Sequence, residues 1–263
     1  MKICGVVNLP FIGLDQLGKD LEYYAKSVNA IEIMLDYPLG PLSMTKEQIK
    51  FIKDALGSYD FDVLLHAPWA FNNLLVPPTK IFDIFLEEIR FTSEMARNLD
   101  SKLVTVHLGN YTVYQKKEID GLVGRAISSL EKISDQDSMV ISIENMDIKN
   151  GFRRGFPLTT PEIKRVYDSD LELTLDTGHA FLMGEDPLAV FLKFKDKIAH
   201  MHLHDSAKNE AHLALGKGDF RYPEFVKEVM KNGYAGYTSV EVITREDFES
   251  SLMELKKMGI TSL

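Results

Sequence analysis

At 263 residues the chain is long enough for one α/β barrel, and its 45% hydrophobic content can bury a large core. Its one cysteine, Cys4, excludes an internal disulfide and points to a reducing, cytoplasmic setting. A formal charge of −9 weighs against general affinity for nucleic acid, and neither a basic-then-apolar leader nor an apolar run of membrane-spanning length is visible.

The first strand pattern is Lys2–Val7. Comparable apolar or alternating runs recur at Ala30–Leu35, Asp62–His66, Leu103–His107, Met139–Glu144, Leu171–Asp176, Ile198–His202 and Tyr237–Val242. Helical spacing fills the intervals, at Leu14–Ser27, Thr45–Leu56, Pro78–Asn98, Ile119–Ile133, Pro161–Tyr167, Asp186–Phe194, Tyr222–Lys231 and Glu246–Met258. Thr45 and Gln48 are spaced as a capping box, and Pro161 and Pro187 sit where a first helical turn tolerates proline. The repeat of roughly 30 residues matches βαβ units. It predicts a single-domain α/β fold over residues 1–263, a closed (β/α)8 TIM barrel and not an open doubly wound sheet. The long connections Asn110–Glu118, Asp147–Thr160 and Asp205–Arg221 all follow strand C-termini, where barrels carry their function. The glycines of Leu215–Gly218 lack the strand-to-helix spacing of a phosphate-binding loop.

The most informative stretch is Leu171–Phe181, LELTLDTGHAF. Glu172, Thr174 and Asp176 share one face, and a turn follows in which Asp176 and His179 can meet one point. The same period of two puts His200, His202 and His204, Ser142 and Glu144, Thr105 and His107, Leu64 and His66, and Ser239 and Glu241 on the inner face of their strands. Six strand ends thereby contribute His66, His107, Glu144, Asp176, His202 and Glu241 to one mouth, with His179 and His212 nearby on loops. Imidazoles and carboxylates in that number compose a divalent metal site. His200 is expected a layer deeper, hydrogen-bonded in the core. Cys4 has no basic neighbour in sequence, so it reads as packing.

These residues resemble those of the xylose-isomerase-like TIM barrels, which include sugar and sugar-phosphate isomerases and epimerases and also endonuclease IV. The resemblance covers nearly the whole chain and rests on HAPWAFNNL (His66–Leu74), VTVHLG (Val104–Gly109), ISIEN (Ile141–Asn145), LDTGHAF (Leu175–Phe181), MHLHD (Met201–Asp205), HLALGKGDF (His212–Phe220) and SVEV (Ser239–Val242). It implies that Glu144, Asp176, His202 and Glu241 form the four-ligand metal site of the isomerases and epimerases. His66, His107, His179 and His212 match further ligands of the multinuclear zinc site of endonuclease IV. A ninth ligand there, an aspartate, is replaced by Glu210, and an asparagine by His204, which stands either behind the ligands or toward solvent.

Two chemistries fit this set. An isomerase or epimerase would hold a sugar, sugar phosphate or related polyol carbonyl on a divalent cofactor (Zn, Mn, Co or Mg, one to three ions), with Glu144 and Glu241 as paired acid/base groups around an enediolate. An endonuclease IV-like phosphodiesterase would use the ions to cleave abasic DNA, and only this reading has a nucleic acid partner. The first is preferred, because Asp36–Ser43, DYPLGPLS, has no basic residue to grip a duplex. Trp69 and Asn72 are candidate substrate contacts, Trp69 as an apolar wall for a sugar ring. Lys208, Arg153 and Arg154 are candidates too, the arginines for a substrate phosphate. The expected partner is a sugar-like small molecule, and a homo-oligomer fits equally well.

Overall fold

Eight parallel strands close on one another: β1 (Lys2–Asn8), β2 (Ala30–Met34), β3 (Asp62–His66), β4 (Val104–Val106), β5 (Ile141–Glu144), β6 (Glu172–Asp176), β7 (Ile198–Leu203) and β8 (Tyr237–Val240). Each pairs with the next in the chain and β8 returns to β1, the closed (β/α)8 barrel expected from the sequence. The structure is a computed structural model that describes residues 1–112, 116–147, 149–150, 153–208 and 210–260. Helices α1 (Leu14–Tyr24), α2 (Lys46–Leu56), α3 (Lys80–Asn98), α4 (Lys116–Asp137), α5 (Thr160–Tyr167), α6 (Pro187–Phe194) and α7 (Tyr222–Lys231) join successive strands, and α8 (Arg245–Lys257) follows β8. Among the described residues no helix is long and apolar enough to cross a membrane.

Alternation within each strand separates two environments. Ile31 and Ile33, Val63 and Leu65, Val104 and Val106, and Leu173 and Leu175 pack with Leu17, Leu21, Ile52, Phe82, Ile89 and Leu130 of the helices in one continuous buried core. Each fully buried aliphatic side chain contributes about 1.5–3 kcal/mol, so this layer between strands and helices dominates the favourable side of folding. A separate small cluster, Cys4, Ala30, Leu64 and Leu103, is buried apart from that layer, on the alternate positions. Polar side chains occupy other inner positions, among them Glu32, Thr105, Ser142, Thr174, His200 and Ser239, all at most 1% exposed.

Local signals explain where elements start. Thr45 and Gln48 form the expected capping box, with Thr45 N–H donating to Gln48 Oε1 (2.8 Å) and Gln48 N–H to Thr45 Oγ1 (3.3 Å). Strand limits fall within two residues of expectation. The helix expected at Ile119–Ile133 is longer, Lys116–Asp137, because no breaker precedes Ile119 and the chain leaves the helical register only at Ser138, where φ is 50°. The long connections are not bare loops. Asn110–Thr112 pairs with Arg153–Gly155, which pairs with Lys149–Asn150, and Asp205–Ala207 pairs with Glu210–Leu213, so small antiparallel sheets follow the C-terminal ends of β4, β5 and β7.

Candidate metal centre

Strand register puts the donors on one rim. His202 lies beside both Asp176 and Ser239, Met34 beside His66, and His66 beside Thr105. Asp176 ends β6 and also caps a short helix, Thr177–Leu182, where the sequence suggested only a turn. Its Oδ1 accepts the His179 N–H (2.6 Å), so the cap that starts the helix also fixes the carboxylate. Gly178 is needed in this turn: a Cβ there would lie 1.9 Å from His204 Cε1.

Glu144 is the centre of the cluster. Its Oε2 lies 3.1 Å from His66 Nε2 and 2.9 Å from His107 Nε2, and its Oε1 lies 3.3 Å from Nδ1 of both His179 and His202. His202 Nδ1 is also 3.0 Å from Glu241 Oε2 and 3.7 Å from Asp176 Oδ2. One donor atom each from Glu144, Asp176, His202 and Glu241 can be chosen with all four within 4.8 Å of one another, and the same holds for His66, His107 and Glu144.

Two observations test whether these residues fit a cation. His202 Nδ1 and Glu241 Oε2 are buried without a hydrogen-bond partner, although they are neighbours. Orphaned buried polar atoms are rare and costly unless something else satisfies them. In addition, His66, His179 and His212 each donate Nδ1–H to a main-chain carbonyl, of Ala67 (2.7 Å), Asn145 (3.0 Å) and Glu241 (3.2 Å). In the neutral ring that bond keeps the proton on Nδ1 and puts the lone pair on Nε2, as metal-binding imidazoles require. The donor set therefore fits a divalent ion.

The electrostatics agree. Burial alone would push the Glu144 carboxyl up, but the facing His202 and His107 imidazoles hold it well below the ordinary carboxylate range. His179 and His204 outweigh burial at Asp176 in the same way, and His202 takes Glu241 down to about 2. Burial opposes charge on His202 and His179 too, yet Glu144 on the former and Asp176 on the latter raise both well above the usual imidazole range. Without an ion, protons supply the positive charge that these carboxylates attract.

Above the donors lies a cavity of about 900 Å³, with His66, His107, Glu144, His179, His212 and Glu241 in its wall. That volume is at the upper end of small-molecule sites, about 300–1,000 Å³. Trp69 also lines it, edge-on to His66 with ring centroids 5.5 Å apart, its backbone held by Asp36 Oδ2 (3.0 Å).

Other expected site residues are placed elsewhere. Asn72 is buried outside the cavity wall, its Nδ2 donating to the Phe85 carbonyl (3.0 Å) and Glu88 Oε2 (2.9 Å). Arg154 pairs with Glu162 (2.8 Å), a carboxylate that also accepts two backbone N–H groups at the start of α5, so its charge is already engaged. The Arg153 side chain lies outside the described residues, as do Gly151 and Phe152 of the same segment. Lys208 and Glu210 are exposed on the hairpin after β7, and Glu210 joins none of the close donor groups. His200 is the expected core residue, bonded to Thr105 (3.1 Å) and Ser239 (2.9 Å), with burial lowering its pKa to about 4. His204 is buried, not solvent-facing: its Nδ1 accepts the His212 N–H (2.9 Å) and its Nε2 faces both Asp176 oxygens (3.1 Å each). Cys4 is fully buried, and burial pushes its thiol up, consistent with packing.

Sequence reasoning missed Glu32. Its carboxylate is wholly buried within the barrel, 3.1 Å from His202 Nε2. Period two along AIEIM would have found it, because Ala30, Glu32 and Met34 share a face.

Residues 24–258 match the family described as xylose isomerase-like TIM barrel. An uncharacterised protein of Methanocaldococcus jannaschii is 28% identical over 261 residues, covering 97% of this chain and 98% of that one. A probable endonuclease 4 of Halobacterium salinarum is 26% identical over 176 residues, covering 59% of this chain and 62% of that one. Among solved structures, a D-tagatose 3-epimerase-like protein superposes with a TM-score of 0.82 at 24% identity, covering 98% of this chain and 96% of that one. With the family match spanning almost all of a closed eight-stranded barrel, the chain belongs to the xylose isomerase-like TIM barrel family.

Proposed function

We propose that this protein is a divalent-metal-dependent isomerase or epimerase of a sugar or related polyol carbonyl. The observation that carries the reading is that two glutamates, Glu144 and Glu241, line one cavity and share His202 as a neighbour. Glu144, Asp176, His202 and Glu241 would hold the ion. Bound there, it would polarise adjacent carbonyl and hydroxyl oxygens as a Lewis acid. The chain's own part is proton transfer. Both carboxyls are held below their ordinary range, so at neutral pH each can accept the proton from the carbon beside the carbonyl without first losing one. The group protonated in that step can return the proton to the neighbouring carbon, which isomerises the substrate. The second glutamate, once it has taken a proton from solvent, can deliver it to the opposite face of the original carbon, which epimerises it, while the first gives its proton up to solvent. Trp69 offers an apolar surface for the sugar ring and restricts water at the reacting carbon. The D-tagatose 3-epimerase-like neighbour supports a sugar-sized substrate.

A second reading is an abasic-DNA phosphodiesterase. The additional group His66, His107 and Glu144 favours it, as does the partial likeness to a probable endonuclease 4. The lack of any basic residue in Asp36–Ser43 and the exposed position of Glu210 weigh against it.

Metal-loaded protein incubated with ketoses in D2O should place deuterium beside the carbonyl, read by NMR, and Glu144→Gln should abolish this while keeping the fold. Exchange at the original rate in the variant would remove Glu144 from the acid/base role. Cleavage of an abasic duplex by the wild type, without exchange, would favour the second reading.

A further inference from the structure

Beneath the rim, Glu32 is a carboxylate of the polar inner layer that takes no part in the cavity wall. It is 0% exposed, in a β2 strand otherwise apolar apart from that position. Its Oε2 accepts from Ser239 Oγ (2.7 Å), and its two oxygens lie 3.3 Å and 3.1 Å from His202 Nε2. A ring that gives one nitrogen to an ion keeps its proton on the other, and the Glu32 oxygens, which can accept it, face Nε2, so in the ion-bound state the His202 proton belongs on Nε2. The lone pair then sits on Nδ1, which is the buried atom left without a hydrogen bond, facing oxygens of Glu241, Glu144 and Asp176 at 3.0–3.7 Å. A lone pair aimed at three carboxylates is repulsive unless a cation lies between them.

We infer that Glu32 is a positioning residue: through His202 Nε2–H it fixes the tautomer and ring orientation that present Nδ1 to a bound ion. The inference rests on reading the rim as an ion site. Removal of such an outer carboxylate typically weakens metal affinity about 10- to 100-fold, because the imidazole loses both basicity and orientation.

Glu32, His200 and His202 also lie close enough to form an ion site of their own. The hydrogen bonds argue against it. His200 is engaged on both ring nitrogens, with Thr105 and Ser239, and Ser239 in turn donates to Glu32. Thr105 continues the chain to Thr174 (3.3 Å), which bonds Ser142 (2.7 Å). Thr105, Thr174, Ser142, Ser239 and both ring nitrogens of His200 thus have partners, while His202 Nδ1 and Glu241 Oε2, on the rim side, have none. The inner layer is a support that holds Glu32 in place, and the open coordination lies on the cavity side.

The test is a comparison of zinc binding by wild type and Glu32→Gln, measured by competition with a chromophoric chelator, with zinc per chain counted by elemental analysis. Gln keeps the shape and the bonds to Ser239 and His202 but removes the charge. The inference predicts 10- to 100-fold weaker binding at an unchanged number of ions. Unchanged affinity overturns it, and so does the loss of one ion per chain, which would make Glu32 a ligand. Wild type serves as the control for the underlying reading: failure to bind zinc at all sinks the ion site itself, whereas strong binding with an indifferent variant sinks only the role of Glu32. Should Glu32→Gln not fold, long-range 15N NMR of zinc-loaded wild type decides, since a His202 proton on Nε2 supports the inference and one on Nδ1 overturns it.

Discussion

Glu144→Gln gives the sharpest consequence for the metal centre. The carboxylate is 1% exposed and lies within 3.3 Å of four imidazoles, and it belongs to two of the close groups of donors, His66, His107 and Glu144, and Glu144, Asp176, His202 and Glu241. Removing one partner of a buried charged pair costs about 3–5 kcal/mol. Spent on ion binding, that loss is roughly a hundred- to several-thousand-fold in affinity. Zinc at about a thousand times its dissociation constant stabilises the wild type by about 4 kcal/mol, whereas a thousand-fold weaker variant gains only about 0.4 kcal/mol. At about 2–4 °C per kcal/mol for a domain near this size, the wild-type melting temperature should rise ~8–16 °C on adding zinc and that of the variant ~1–2 °C. The assay is calorimetric melting of each protein with and without zinc, each compared with its own metal-free form. Equal zinc-induced shifts in the two proteins would refute the placement of Glu144 at the ion.

Three further outcomes follow from the geometry. His179 and His202 are raised well above the ordinary imidazole range in the metal-free chain, so they carry protons at neutral pH that an ion must expel. Zinc binding should release protons and tighten as pH rises through neutrality, and calorimetry in buffers of different ionisation heat should count them; no release would contradict the assignment. Gly178→Ala places a Cβ 1.9 Å from the His204 ring, so unfolding in urea should show a loss of about 1–3 kcal/mol, together with weaker zinc binding through Asp176. A variant as stable as wild type would mean that His204 is not held where the hydrogen bonds put it. Asn72→Ala should cost about 1–3 kcal/mol of stability, because it strips a partner from Glu88 and the Phe85 carbonyl, and should leave the KM of any substrate unchanged. A tenfold rise in KM with normal stability would return Asn72 to the cavity.

The barrel was readable because its signals are local. Period-two alternation, a capping box at Thr45 and a repeat of βαβ length do not depend on distant neighbours, and inner positions on six strands name most of the rim. What escaped depends on tertiary partners. Glu32 hides in an apolar run, and its meaning comes from His202, 170 positions away. Arg154 and Asn72 sit in the expected segments, yet Glu162 and Glu88 claim them, and no spacing rule announces that choice. The small sheets after β4 and β5 need Asn110–Thr112 to meet Arg153–Gly155, a pairing without a turn signal to join them. Asp176 was legible as a carboxylate at a strand end but not as the cap of a six-residue helix, because so short a helix has no periodicity to detect.

The most direct measurement is elemental analysis of purified protein after dialysis against zinc, then against metal-free buffer, for wild type and Asp176→Asn. The account predicts at least one tightly held divalent ion per wild-type chain and markedly less in the variant. A wild-type protein that emerges free of metal, or a variant that retains as much, would contradict it.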